Sequence, residues 1–94
     1  MKTFKDLKFE PHSIAKSGLQ GYKDAKQAIE KFENGYGVSV LFGRCFYSNG
    51  IDTYELAVLF NDVITYQTDI TDNVMGHLSE NEVSDVMLKV ATLK

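Results

Sequence analysis

The clearest pattern of hydrophobic and polar positions lies at the C-terminal end of the chain. Apolar residues recur there at helical spacing, at Val83, Val86, Met87, Val90 and Leu93. Ser79 and Glu82 precede all five with the spacing of a capping box, in which each side chain accepts a hydrogen bond from the other residue's backbone N–H. Leu78 and Val83 stand where a hydrophobic staple places its two residues. The pattern predicts a helix over about residues 79–93, with acids at its start and lysines toward its end, as the helix dipole favours.

Two segments rich in β-branched and aromatic residues precede this helix. Residues 53–60 and 63–67 flank the turn-forming pair Asn61 and Asp62, which predicts a β-hairpin. One face of that hairpin carries Leu56, Val58, Phe60, Val63 and Thr65, and the other carries Ala57, Leu59, Ile64 and Tyr66. Since both faces are partly apolar, we expect the hairpin to lie centrally in its sheet.

Two further strands are predicted nearer the N-terminus. Residues 38–47 form a strand-like run with a bulge at Gly43, followed by a turn at residues 48–50. Cys45 falls inside this run and is expected to be a small buried thiol. Leu7 and Phe9 alternate with charged residues, which predicts a short strand.

The segment from residue 22 to residue 33 fits two structures. Its apolar residues lie on a helical stripe that Gly35 would cap, and periodicity alone slightly favours this helix. The pair Asn34 and Gly35 before a strand is also a strong hairpin signal, which would make residues 28–33 a strand. Both alternatives stay open from these residues alone.

Together these elements predict one domain spanning residues 1–94 and an α+β fold. In this fold an antiparallel sheet of about four strands is packed by the C-terminal helix. A chain of 94 residues suffices for one hydrophobic core but is too short for two domains.

Charge divides the chain unevenly. Residues 1–47 hold eight basic and five acidic residues, a net charge of +3, whereas residues 48–94 hold two basic and eight acidic residues, a net charge of −6. A solvated surface is the ordinary explanation of such a charge run. The acidic half would also attract a basic partner and repel nucleic acid.

Four segments carry a resemblance to a known group. They are TFKDLKFEPH, NGYGVSV, YELAVL and DITDNVMGHLSENEV, at residues 3–12, 34–40, 54–59 and 69–83. Together they resemble small uncharacterised proteins of bacteriophages and prophages. The resemblance implies a phage or prophage gene and a strand directly before the turn at Asn34 and Gly35, but it implies no reaction.

Cysteine content and hydropathy indicate the compartment. Cys45 is the only cysteine, so no intrachain disulfide can form. The longest apolar runs have five residues, whereas a membrane span needs about 20. We therefore expect a protein of the bacterial host cytoplasm that does not enter the membrane. Exposed edge strands can pair, so a homodimer remains an alternative.

The sequence gives little support for a transition-metal site or a catalytic nucleophile. His12, His77 and Cys45 are the only candidate residues, and no Cys-x-x-Cys or His-x-x-x-His spacing occurs. Histidine in a loop and cysteine in an apolar strand are more often structural than catalytic.

The sequence also gives little support for a carboxylate site or a phosphate-binding loop. Asp69, Asp72 and Glu55 could converge on a cation or act as general acid and base, but ordinary turn and capping roles explain them. The glycines of residues 34–37 lack the GxxxxGK[ST] pattern of a phosphate-binding loop. We therefore expect neither enzymatic activity nor a metal or other cofactor.

The function expected from the sequence is surface blocking. We expect a phage-encoded, non-enzymatic inhibitor of a bacterial defence system, similar to anti-CRISPR proteins, that binds a host protein or protein–nucleic-acid complex. The residues expected to contact this partner are Asp69, Asp72, Glu80, Glu82 and Asp85, with Glu82 compromised by its role in the capping box. The alternative is a module that binds nucleic acid or a signalling nucleotide through the lysines and tyrosines of the first half.

Overall fold

The computed structural model describes residues 2–13, 15, 24–65 and 74–93. A 3₁₀ helix spans Phe4–Asp6, and one α-helix, α1, spans Glu80–Ala91. The strands are β1 (Glu10–Pro11), β2 (Lys26–Lys31), β3 (Tyr36–Phe42), β4 (Tyr54–Phe60), β5 (Val63–Ile64) and β6 (Met75–Leu78). Among the described residues, no helix combines the length and hydropathy needed to cross a membrane.

All six strands belong to one antiparallel sheet. Its order is β1-β2-β3-β4-β5, and β6 pairs with β4 as well. Strand β5 pairs with the C-terminal end of β4, whereas β6 pairs with its N-terminal half. The predicted α+β class is therefore confirmed, with six short strands in place of about four and with the hairpin strand β4 in a central position.

The first hairpin resolves the segment with two possible structures. Strand β2 pairs with β3 along its whole length, and Phe32 donates its N–H to the Tyr36 carbonyl at 2.8 Å to close the turn. Gly35 turns the chain at φ +89, a conformation that favours glycine. The helix that periodicity slightly favoured is wrong, because pairing with β3 decides the conformation. Ile29, part of the proposed helical stripe, is 53% exposed.

The second hairpin has the predicted turn and register, but its second strand, β5, is shorter than the predicted residues 63–67 and lies at the end of the strand order instead of centrally; residues 66 and 67 are outside the described residues. Asn61 and Asp62 both have positive φ, at 50 and 70, as the tight type I′ turn requires. Phe60 is paired with Val63, and Leu59 with Ile64, which is the predicted register.

Helix α1 covers one face of the sheet. Val38, Val40, Leu56 and Val58 of the sheet and Val83, Val86, Met87 and Val90 of the helix form the core. The capping box begins the helix at Ser79, and Thr92 ends it, close to the predicted bounds. The staple residues Leu78 and Val83 are both buried in this core.

The N-terminal segment differs from the prediction. The strand expected around Leu7 and Phe9 is wrong: residues 7–9 lie between the 3₁₀ helix and β1 and belong to neither. The Asp6 carboxylate accepts the Thr3 backbone N–H at 2.8 Å at the start of this 3₁₀ helix. This hydrogen bond holds the pKa of Asp6 below its usual value. Leu7 and Phe9 still pack against the core, together with Phe4.

The chain leaves the sheet earlier than expected after β3. The predicted strand over residues 38–47 stops at Phe42, and Gly43 turns the chain away at φ +140. The Gly43 N–H donates to the Ser48 hydroxyl at 3.3 Å instead of continuing the strand. Cys45 is consequently a partly exposed loop residue, so its prediction as a buried strand thiol is wrong.

Asn34 joins the first hairpin to the end of α1. Its side-chain nitrogen donates to the carbonyl oxygens of Val90 and Leu93, at 2.9 Å each. Its side-chain oxygen accepts the Tyr36 N–H at 3.0 Å. One turn residue therefore satisfies two carbonyl groups at the helix end and also fixes its own turn.

Candidate functional site

The acids expected to bind a partner lie partly at the start of α1. Glu80, Glu82 and Asp85 are all exposed within the first half of this helix. Asp69 and Asp72 lie outside the described residues. Among the described residues the one ion pair joins Lys31 to Asp62, so no described basic side chain neutralises the three helix acids by an ion pair.

Glu82 has a structural role as well. The Ser79 hydroxyl accepts the Glu82 N–H at 3.2 Å, and the Glu82 carboxylate accepts the Ser79 N–H at 3.0 Å. This confirms the capping box. One oxygen of Glu82 is thus committed to the start of the helix, whereas Glu80 and Asp85 make no such bond there.

The pKa of Tyr54 depends on burial and on nearby acids. Burial raises the pKa of Tyr54, and the carboxylates of Glu80 and Asp52 raise the pKa further. Asp52 belongs to the loop before β4, whereas Glu80 is the first residue of α1. We call Asp52, Glu80, Glu82 and Asp85 the acidic surface.

The loop between β3 and β4, residues 43–53, is held by its own side chains. The Asn49 side-chain oxygen accepts three backbone N–H groups, those of residues 51, 52 and 53, at 2.9 to 3.0 Å. The Ser48 hydroxyl accepts the N–H of Gly50 and donates to the Thr53 carbonyl. The two ends of the loop are therefore fixed to each other, and we call this segment the 43–53 loop.

The 43–53 loop is also fixed to its neighbours. Tyr47 donates its N–H to the Glu55 carboxylate at 3.0 Å and accepts the His77 N–H at its carbonyl at 2.8 Å. His77 makes this contact in a left-handed conformation, at φ 53. Gly76 allows the close approach, because a Cβ there would lie 2.7 Å from the Cβ of Tyr47.

Two large apolar side chains project from this rigid loop. Ile51 is 71% exposed and Tyr47 is 62% exposed. The sequence predicted the turn at residues 48–50 and included Tyr47 among the first-half tyrosines of the nucleic-acid alternative, but it missed Ile51, because an isoleucine beside a strand usually belongs to a core. The preceding glycine, Gly43, was the available signal that the strand ends early.

Among the residues considered for catalysis or metal binding, Glu55 and His77 both bond to Tyr47, and Asp69 and Asp72 lie outside the described residues. The Glu55 carboxylate is bonded to the Tyr47 N–H, and the His12 ring packs edge-on against Phe46 at 5.2 Å between centroids. Among the described residues, no three His, Cys, Asp or Glu side chains form a group that could hold a metal ion.

A groove lies at the opposite end of α1 from the acidic surface. It has a volume of about 660 Å³ and is bordered by Lys2, Lys31 and Phe32 and by the turn at Asn34. Lys31 also reaches Asp62 at 2.8 Å, although both side chains are largely exposed. Glu33 adds a negative charge at the same border.

No protein-family model, curated protein sequence or solved structure matches this chain. The similarity to phage proteins therefore stays a prediction from the sequence.

Proposed function

We propose that this chain is a non-enzymatic binding protein whose acidic surface docks onto a basic surface of a macromolecular partner. The observation that carries the proposal is that Glu80, Glu82 and Asp85 are all exposed within the first half of one helix, where no described cation forms an ion pair with them. Exposed carboxylates that no described cation pairs with are suited to a partner that supplies lysine or arginine.

The resemblance to phage proteins gives this proposal its specific form. A phage protein that presents carboxylates can compete with nucleic acid for a positively charged channel, as in a CRISPR effector of the bacterial host. Such blocking requires a matching surface and no reaction. The proposed partner is therefore a host protein or protein–nucleic-acid complex of a defence system.

The test is a plating assay in bacteria that carry a CRISPR effector directed against a phage. Expression of this chain should restore plaque formation, and a double variant, Glu80→Gln with Asp85→Asn, should reduce that rescue at least tenfold. Glu82 is left intact because it caps the helix. The matched control is Glu33→Gln, which neutralises an acid between β2 and β3, beside the C-terminal end of α1. This variant should keep the rescue.

Two results would count against the proposal. Equal plating with and without this chain would refute inhibition of the defence system. Full rescue by the double variant would refute the acidic surface as the docking part. Circular dichroism of each variant checks that the fold is kept.

A second candidate function is supported by the groove at Lys2 and Lys31. Two cations beside the Phe32 ring are the groups that a nucleotide needs for its phosphates and its base. Titration calorimetry with a panel of nucleoside mono-, di- and cyclic phosphates tests this function. Micromolar binding that weakens with salt and is lost in Lys31→Ala would favour it over the acidic surface, whereas no heat above dilution would reject it.

A further inference from the structure

The 43–53 loop combines exposed apolar side chains with a fixed backbone. Ile51 and Tyr47 are exposed although Asn49 and Ser48 bond the loop to itself, so their exposure is not the result of a slack chain. Tyrosine held in one position is a frequent anchor of protein interfaces. Its rigid backbone also means that little conformational freedom would be lost on binding.

The charges around the loop indicate what kind of partner fits it. Asp52 lies within the loop, and the Glu55 carboxylate accepts the Tyr47 N–H of the loop at 3.0 Å. Arg44 is the one cation of the loop, and a Cβ at Gly50 would lie 2.8 Å from its Cγ, so its aliphatic part covers that turn. The apolar pair is thus bordered by more negative than positive charge.

This charge balance favours one class of binding partner over the others. A second copy of the chain would bring the same acids face to face across a two-fold axis. Nucleic acid and anionic lipid would be repelled by these carboxylates. A protein that offers an apolar pocket with lysine or arginine at its rim satisfies both the apolar pair and the acids.

We propose that the 43–53 loop is the anchor of a protein–protein interface, in which Tyr47 and Ile51 enter an apolar pocket with a basic rim. This inference rests on the proposed function in one respect, because it names the contact that accompanies the acidic surface. The loop supplies the buried contact, whereas the acids supply orientation and rate of association.

The experiment uses the full chain with a photo-crosslinking benzoylphenylalanine in place of Ile51. The matched control carries it in place of Ile29, an exposed isoleucine on β2. After irradiation in lysate of the bacterial host, the adduct of the first chain is identified by mass spectrometry. That protein is then purified and titrated with wild type, Tyr47→Ser, Ile51→Ser and Ile29→Ser.

The expected result is a Kd at least tenfold weaker for Tyr47→Ser and for Ile51→Ser, and less than twofold weaker for Ile29→Ser. Asp52→Asn should flatten the dependence of Kd on salt. The inference is overturned if position 51 gives no adduct beyond that of position 29, or if Ile51→Ser binds within twofold of wild type. It is equally overturned if wild type is a dimer that Ile51→Ser dissociates, or if it sediments with phosphatidylserine vesicles.

The same titration separates this inference from the proposed function. If Glu80→Gln with Asp85→Asn weakens binding and the loop variants do not, the acidic surface is the docking part and the loop is not. If only the loop variants weaken binding, the loop anchors the partner and the helix acids do not contribute. Weakening by both sets supports one continuous interface.

Discussion

The substitution Asn34→Asp tests the junction between the first hairpin and the end of α1. Asparagine donates two hydrogen bonds to carbonyl groups at the end of α1 and just beyond it, those of Val90 and Leu93, at 2.9 Å each. Aspartate keeps an oxygen for the Tyr36 N–H but can donate neither of the other two bonds. It also places a negative charge at the negative end of the helix dipole.

The expected loss of stability follows from these contacts. Two hydrogen bonds contribute about 1 kcal/mol each, and an unfavourable charge at a helix end costs about 0.3–1 kcal/mol. We expect Asn34→Asp to lower the free energy of unfolding by about 2–3 kcal/mol. In a domain of this size that corresponds to a fall in Tm of roughly 10–20 °C.

The sign of the pH dependence gives a second, independent test. Carbonyl oxygens around the new carboxyl favour its protonated form, so its pKa in the folded chain should exceed the unfolded value of about 3.9. The penalty is therefore complete above the folded pKa. It should diminish as the pH falls, because the protonated carboxyl can again donate a hydrogen bond.

Urea denaturation followed by circular dichroism measures both effects at about pH 7 and about pH 3. Asn81→Asp is the control, because it makes the same chemical change at an exposed position near the helix start and should stay within about 0.5 kcal/mol of wild type. The reasoning fails if Asn34→Asp also stays within about 0.5 kcal/mol, or if its penalty is unchanged in acid.

Three further predictions concern the cap, the sheet and the acidic surface. Ser79→Ala should lower the free energy of unfolding by about 1 kcal/mol in a urea titration, through loss of the helix cap, and a change near zero would contradict the capping box. Gly37→Ala should cost about 1–3 kcal/mol, because its Cβ would lie 2.5 Å from the Glu30 carbonyl oxygen; wild-type stability would exclude that close approach. Because the raised pKa of Tyr54 favours its neutral form in the folded chain, stability should fall as the pH rises above about 10, where an unfolded tyrosine ionises. In an NMR titration of this ring, Glu80→Gln should lower the Tyr54 midpoint, and an unchanged midpoint would place Glu80 elsewhere.

Features set by neighbouring residues could be predicted from the sequence. The helix start at Ser79 depends on residues three positions apart, and the turn at Asn61 and Asp62 depends on two adjacent residues. Neighbouring residues alone could not predict whether the β2 segment forms a helix or a strand. Its residues fit a helix and a strand almost equally, and only pairing with β3, beyond the turn, selects the strand.

The candidate site was predictable only in part. Glu80, Glu82 and Asp85 follow from the helix, because every position of an exposed helical face can be assigned once its start is known. Asp52 could not be added, because it lies in the 43–53 loop, whose position depends on contacts with β6 such as that between Tyr47 and His77. Ile51 was missed for a related reason: its exposure results from hydrogen bonds made by Asn49, which leave the isoleucine outside the core.

The two Asn-Gly pairs, at residues 34–35 and 49–50, are sites of asparagine deamidation. In such pairs the glycine nitrogen attacks the asparagine side-chain carbon, releases ammonia and forms a succinimide, which water opens to aspartate or isoaspartate. Here the Gly35 N–H is bonded to the Phe32 carbonyl at 3.2 Å, and the Gly50 N–H to the Ser48 hydroxyl at 3.1 Å.

Both asparagine amides are held as well, Asn34 by the end of α1 and Asn49 by Asp52. Attack therefore requires each turn to open first. Deamidation adds about one mass unit, so its rate in stored protein measures how often each turn opens. The rate at Asn34 measures separation of the first hairpin from the helix end, and the rate at Asn49 measures opening of the 43–53 loop.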